Sequence, residues 1–222
     1  MMTFEEFKAK ENDDEFAPGW DEIEAAFTEV YGDVKPEHYG TTITSRAMFG
    51  GNEYLDGFSA YPSPKGYSHV VTFGMSELYY DEESFGGEFS KWGYEMTIKL
   101  KDTDPQNCVW AMNMMSNLAR YTFQSERWFE PGQYVGSANN PESINLSKPD
   151  SRITSLLITQ DTEVKGRDTI YGKLDFMQLV GITTEEFLKV KENRDLVPVL
   201  LENLKADYPD LETDMDRTKN YI

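Results

Sequence analysis

The sequence predicts an α+β domain, because helical periodicity marks both ends, strand-like segments fill the middle, and no steady βαβ alternation appears. The 222 residues fit one generous domain, and neither an internal repeat nor a low-complexity linker divides them. Hydrophobic residues make up 39% and aromatics 14%, enough apolar area to offset the entropy of ordering a core. The expected division is an acidic N-terminal arm or short helix over 1–17, one domain over 18–208, and a polar, loose tail over 209–222.

In the N-terminal stretch, Glu5, Glu6, Glu11, Asp13, Asp14 and Glu15 surround Phe4, Phe7 and Phe16, which suits either a docked helix or a mobile arm. Pro18 opens a helix in which Trp20, Ile23, Phe27 and Val30 or Tyr31 recur at helical spacing, and Gly32 should stop it. Strands are expected over Phe58–Tyr61, Ser68–Phe73 and Tyr94–Leu100, the last alternating apolar residues with Glu95 and Lys99, Thr97 aside. The acidic, glycine-bearing segment from Ser76 to Trp92 reads as a surface loop or hairpin excursion.

Asp104-Pro105 should begin the longest helix, with Trp110, Met114, Leu118 and Tyr121 on one face and Ala111, Met115 and Phe123 widening it. Pro131 to Pro149 is turn-rich. Strands over Ile153–Thr159 and Ile170–Val180 follow, the second burying Leu174, Phe176, Leu179 and Val180. Thr183-Thr-Glu-Glu186 is a capping box for a helix through Phe187, Leu188 and Val190. A last helix is expected from Val197 to Ala206, with Pro198 in its first turn.

Charge excludes some partners. Twenty-one Lys plus Arg against 40 Asp plus Glu give −19, which repels phosphate backbones and anionic headgroups and favours basic protein partners. Such a field raises encounter rates with a basic partner by roughly 10- to 1,000-fold at low salt. Cys108 is the one cysteine, so no intrachain disulfide forms. The acidic start lacks an apolar signal region and no run of about 18 apolar residues exists, so the expected location is cytoplasmic and away from membranes.

Catalytic signatures are thin. His38 and His69 are far apart, and His69 reads as a strand histidine with a satisfied hydrogen bond; with one cysteine, a zinc site lacks ligands. Gly50-Gly51 and Gly86-Gly87 lack the Lys-Ser or Lys-Thr of a phosphate loop. Gly74-Met-Ser-Glu-Leu resembles a nucleophile elbow but has Leu78 where the second glycine belongs, leaving Ser76 a turn or cap residue. Asp210, Glu212, Asp214 and Asp216 are spaced like the first calcium-loop ligands, but Met215 and Tyr221 stand where glycine and a bidentate carboxylate are required. No cofactor, metal site or enzymatic activity is expected.

Four blocks resemble the Suppressor of Fused domain family: His69-Val-Val-Thr-Phe-Gly-Met-Ser-Glu-Leu-Tyr79, Trp92-Gly-Tyr-Glu-Met-Thr-Ile-Lys-Leu-Lys101, Leu118-Ala-Arg-Tyr-Thr-Phe-Gln-Ser-Glu126, and Phe176-Met-Gln-Leu-Val-Gly-Ile-Thr-Thr-Glu-Glu186. Gly19-Trp20-Asp-Glu-Ile23 is similar to the family's opening helix. The resemblance implies a mixed, largely antiparallel central sheet flanked by helices, and a non-catalytic binding role. In animals the domain is one lobe of a regulator that clamps an extended peptide between two lobes. Compact bacterial relatives resemble immunity proteins that neutralise toxins, often nucleases. This chain is similar to the single-lobe group.

The resemblance places Tyr79 at a partner-binding groove. Tyr80, Asp81, Glu82, Glu83 and Glu88 add stiff aromatic area and charge beside it, a mixture suited to a basic partner. The bland alternative is that Tyr79 packs in the sheet and the acidic run is a hydrated loop. Arg120 is expected to anchor a carboxylate or carbonyl, Trp110 and Trp128 to serve core or rim packing, and Gln178 to satisfy backbone groups. The leading functional expectation is an immunity protein sequestering a basic toxin. A regulatory module sequestering an endogenous protein or peptide is the alternative, and a small-molecule or metal-dependent enzyme a distant third.

Overall fold

A computed structural model describes residues 2–41, 55–136, 148 and 150–222. Gly50-Gly51 and most of the turn-rich run before Pro149 lie outside the described residues. Strands β1 (Glu37–Gly40), β2 (Gly57–Ser63), β3 (Tyr67–Phe73), β4 (Phe89–Leu100), β5 (Tyr134–Val135), β6 (Ile153–Gln160), β7 (Arg167–Thr169) and β8 (Gly172–Thr183) form one sheet. Its order is β1-β2-β3-β4-β8-β6-β5, with β7 beside the start of β8. Every pairing is antiparallel except the central β4–β8 pair. Five helices accompany it among the described residues: α1 (Phe4–Lys8), α2 (Pro18–Tyr31), α3 (Val109–Ser125), α4 (Thr184–Glu192) and α5 (Leu196–Lys205).

Strand β4 sorts the layers. Its Tyr94, Met96, Ile98 and Leu100 pack with Ala111, Met115 and Ala119 of α3 on one face of the sheet. That buried stripe is rotated from the face the sequence suggests. Small alanines let the helix approach the sheet, while Trp110 and Leu118 sit on its flank and Tyr121 is exposed. On the opposite face, α2 packs Ile23 and Phe27 on Val71, Phe73, Leu174 and Phe176. Further along that face, α4 and α5 pack Phe187, Val190 and Leu200 on Leu157, Val180 and Ile182.

The alternation in β4 predicts a strand, yet its polar side is not wet: Glu95, Thr97 and Lys99 are fully buried. They occupy the seam between the two helical covers, and burying a charge is costly unless it is paired. Asp161, just after β6, supplies the pairing. Its Oδ1 accepts from Lys99 Nζ at 3.1 Å and from the backbone N–H groups of Glu163 and Val164. Its Oδ2 accepts from Thr97 Oγ1 at 2.6 Å and from His69 Nε2 at 2.8 Å. The other His69 ring nitrogen, Nδ1, is hydrogen-bonded to the Tyr31 hydroxyl at 2.9 Å, joining α2 to the group. Burial pushes the Asp161 carboxyl up, but His69, Lys99 and Thr97 together outweigh it and hold it well below the ordinary carboxylate range.

The chain end is a correction to the loose tail expected. Thr213 N–H donates to Lys99 O at 2.7 Å, and Thr213 O accepts from Lys101 N–H at 3.0 Å. Gln178, buried as anticipated, donates to the carbonyls of Asp210 and Leu211. Glu186, the capping-box residue at the start of α4, also forms a two-pronged buried pair with Arg217 at 2.8 and 2.9 Å. Asp210, Asp214 and Asp216 pair separately with Lys65, Lys101 and Lys148 rather than converging as calcium ligands.

Two further differences are local. The long strand expected over Ile170–Val180 is a hairpin, because Gly172 takes φ +102° and turns β7 into β8. The helix start at Pro105 is one 3-10 turn, capped by Asp104, before α3 begins at Val109.

Replacing Asp161 with Asn leaves Lys99 buried against an uncharged amide. This should cost about 3–5 kcal/mol of stability in urea titration at neutral pH, the usual consequence of breaking a buried pair. Because the folded carboxyl is held below its unfolded pKa, the loss should be full above about pH 4 and shrink only in stronger acid. A variant within about 0.5 kcal/mol of the parent across that range contradicts this account.

Candidate partner-binding surface

The candidate surface is the loop joining β3 to β4, and a second buried acid holds its base. After β3, Gly74 adopts φ +122°, a conformation suited to glycine. The turn then curls over Glu95, whose carboxylate accepts from the N–H groups of Gly74, Met75 and Ser76, from Ser76 Oγ at 2.6 Å and from Thr72 Oγ1 at 2.6 Å. Burial pushes the Glu95 carboxyl up while the Ser76, Thr72 and backbone donors pull the other way. Ser76 is therefore a turn-holding residue, as its spacing suggests, with its hydroxyl engaged inward.

Beyond the turn, α2 clamps the backbone. Gly19 N–H donates to Leu78 O at 3.1 Å, and a side chain at Gly19 would place its Cβ 1.8 Å from the Glu77 carbonyl oxygen. From the other side, the Tyr171 hydroxyl of the β7–β8 turn donates to Tyr79 O, while Asp81 N–H donates to that hydroxyl at 3.3 Å. Gly86 N–H to Ile170 O and Lys173 N–H to Glu88 O close the loop. A rigid base thus carries an exposed rim.

The predicted residues share this loop but do different things. Tyr79 is 45% exposed, its hydroxyl donating to Asp56, so it stands outside the sheet. Glu83 and Glu88 are exposed, and no described hydrogen bond or ion pair engages their carboxylates. Asp81 turns back on its own loop, accepting from Ser84 Oγ and Glu83 N–H. Tyr80 and Glu82 are occupied by the N-terminal arm: Phe7 stacks on Tyr80 at 4.6 Å, and Lys8 pairs with Glu82 at 2.8 Å. The arm is a docked helix, with Thr3 and Glu6 forming a capping box.

His69 does meet an acid, but its side chain and that of Asp161 are both fully buried, and neither lines any of the described grooves. Among the described residues no group of three His, Cys, Asp or Glu side chains is placed to hold a metal ion. No helix of the described residues is long and apolar enough to cross a membrane.

Sequence reasoning missed a second exposed surface. Trp128 is 56% exposed and lines a groove of about 680 Å³ with Tyr121, Arg127, Gln133 and Arg194. Phe89, 52% exposed, shares a neighbouring hollow with Trp92 and Trp128. The signal was present: Trp128 follows Ser-Glu-Arg and precedes Phe-Glu-Pro, outside any helical stripe.

Comparison with known proteins agrees with this architecture. Residues 51–218 match the family described as Suppressor of fused protein (SUFU). The chain belongs to the Suppressor of fused protein family. It is 33% identical over 209 residues to the human and mouse Suppressor of fused homologs, covering 85% of this chain and 42% of each relative. It thus spans less than half the length of the curated relatives it matches. Among solved structures it resembles a chain of the Sufu-Fu complex, with a TM-score of 0.77, 25% identity and 93% of each chain covered. Drosophila Suppressor of Fused gives 0.75 at 25% identity, covering 92% of this chain and 51% of that one. A putative homolog from Neisseria gonorrhoeae shares the fold, with a TM-score of 0.60 at 14% identity, covering 92% of this chain and 97% of that one. The mixed, largely antiparallel sheet with helices on both faces is the family fold.

Glu95→Gln sets an amide NH2 against donors and leaves at least one of them unmatched. We expect a cost of about 1–3 kcal/mol. Amide hydrogen exchange should accelerate at Gly74, Met75 and Ser76 before the rest of the sheet opens. Uniform acceleration across β4 and β8 instead would show that Glu95 supports the sheet and not this turn.

Proposed function

We propose that this Suppressor of fused domain is a non-catalytic binding module that holds a basic protein partner against the Tyr79–Glu88 loop. The observation that carries the reading is Tyr79 itself: a half-exposed aromatic on a base immobilised by Glu95, Gly19 and Tyr171, with Glu83 and Glu88 unpaired beside it. A stiff aromatic loses little entropy on docking, and flanking carboxylates match a cationic surface. Family membership supports a protein-binding role, since a similar chain was solved as part of the Sufu-Fu complex. The −19 charge supports a strongly basic partner, and within that class a toxin that grips phosphate is the specific proposal: the domain would act as its immunity protein, one to one and without turnover.

A second reading has its own observation. The Trp128–Tyr121 groove is lined by Leu118, Phe129 and Tyr134 as well as by charges of both signs, Arg127 and Arg194 with Glu126 and Glu130, which suits an extended segment of a regulated protein. Salt separates the two. Capture through the acidic loop slows steeply as ionic strength rises, whereas groove capture does not.

Tyr79→Ala should weaken capture of the cognate partner by about 30-fold, the scale of an interface hot spot. Reversing Glu83 and Glu88 to Lys should lower the association rate about tenfold at low salt and less at high salt. Both are read by surface plasmon resonance on variants that retain the parental circular dichroism. If both leave binding intact while Trp128→Ala removes it, the acidic-loop proposal fails.

A further inference from the structure

Phe7 is fully buried although it lies on a five-residue helix near the start of the chain. Its ring enters a slot made by Tyr80 (4.6 Å, stacked), Phe85 (4.7 Å), Phe16 (5.8 Å) and Tyr171 (5.9 Å, edge-on). Phe4, one turn earlier, rests edge-on against Phe85 at 5.3 Å, and Lys8 reaches Glu82 at 2.8 Å. Its attachment to the domain runs through side chains. Every described backbone hydrogen bond made by residues 3–16 ends on another residue of the same segment. Among the described contacts, rings and one exposed ion pair hold the arm to the domain, and an exposed pair is a weak tie. Thr3 and Glu6 cap the helix reciprocally, so it carries its own terminal hydrogen bonds and leaves none of the sheet's unsatisfied when it departs.

An element bound by side chains alone, over the loop we assign to partner contact, has the form of a ligand tethered in cis. We propose that the Tyr80–Phe85–Tyr171 slot is a docking site for a partner's short helix bearing two aromatic residues three positions apart and a lysine directly after the second, and that α1 occupies it in the free protein. Charge selects the lysine, because Glu82, two residues on from Tyr80, pairs with Lys8 beside the slot. The arm then acts as a competitor. While it is seated, the apparent affinity of an incoming helix falls by the fraction of time the slot is closed. The inference rests on the reading of the Tyr79–Glu88 loop as a contact surface, and it adds which part takes an anchor and what covers it.

The test uses the full chain and a fluorescein-labelled peptide copying residues 2–12, followed by fluorescence anisotropy. Phe7→Ala should bind the peptide at least about tenfold more tightly than the parent, since the arm no longer fills the slot. Lys8→Glu, which keeps Phe7 but sets like charges against Glu82, should give a smaller gain of a few fold and decides the matter if Phe7→Ala does not fold. Adding Tyr80→Ala to the Phe7→Ala chain should abolish the gain. The proposal is overturned if folded variants bind no better than the parent, if the gain ignores Tyr80, or if the arm exchanges only between copies, seen as a concentration-dependent dimer. No cognate partner enters this experiment, so its failure leaves the capture test above standing. Conversely, a slot that binds while Tyr79 and the carboxylates prove irrelevant to capture would sink only the surface reading.

Discussion

The Asp161 carboxylate is the constraint on which the rest of the structure depends. It faces Lys99 on one strand, His69 on the next and Thr97 beneath them, and through His69 it reaches Tyr31 on α2. Each of these groups is polar and shut away from water, so none tolerates burial without the others. A sheet with an apolar second face could slide beneath its helices at little cost. This one cannot, since a shift of the β6–β7 connection strands the Lys99 ammonium in the interior and a shift of α2 strands a ring nitrogen of His69.

Rigidity at that seam passes to the surface through β4. Residue 99 of this strand serves the central network, while residue 95, two turns of the pleat earlier on the same face, holds the turn that begins the acidic loop. The Tyr79 carbonyl is held by Tyr171 and that of its neighbour Leu78 by the first turn of α2, so a solvent-exposed aromatic sits on an ordered base. Preorganisation of this kind is what allows a modest contact patch to bind well, because little conformational freedom remains to be lost on docking.

Much of the fold was legible in the sequence, and what escaped it did so for physical reasons. The capping box at Thr183, the helix stop at Gly32 and the Phe27 stripe carry local signals that tertiary context did not override. The alternation of β4 correctly marks a strand, but a period of two is identical whether the polar face meets water or other buried polar groups. The alternation alone therefore does not say that Glu95 and Lys99 are buried. The chain end looked loose because its anchor is not an apolar run but Arg217 paired with Glu186, an interaction across 31 positions that no local pattern announces. Tyr79 is singled out only by its place in a block resembling the family, whereas an isolated tryptophan after a helix, such as Trp128, resembles rim packing. The arm carries its own local signal: Thr3 and Glu6 make a capping box with phenylalanines one turn apart, which favours a docked helix over a mobile strand of chain.

The most direct test of the central claim is a hydrogen-exchange footprint of the chain alone and in complex with a protein it captures. The account predicts slowed exchange from Ser76 to Glu88, with α3 and the segment around Trp128 unchanged. Protection confined to the Trp128 groove, with the acidic loop exchanging as freely as in the unbound chain, would contradict it.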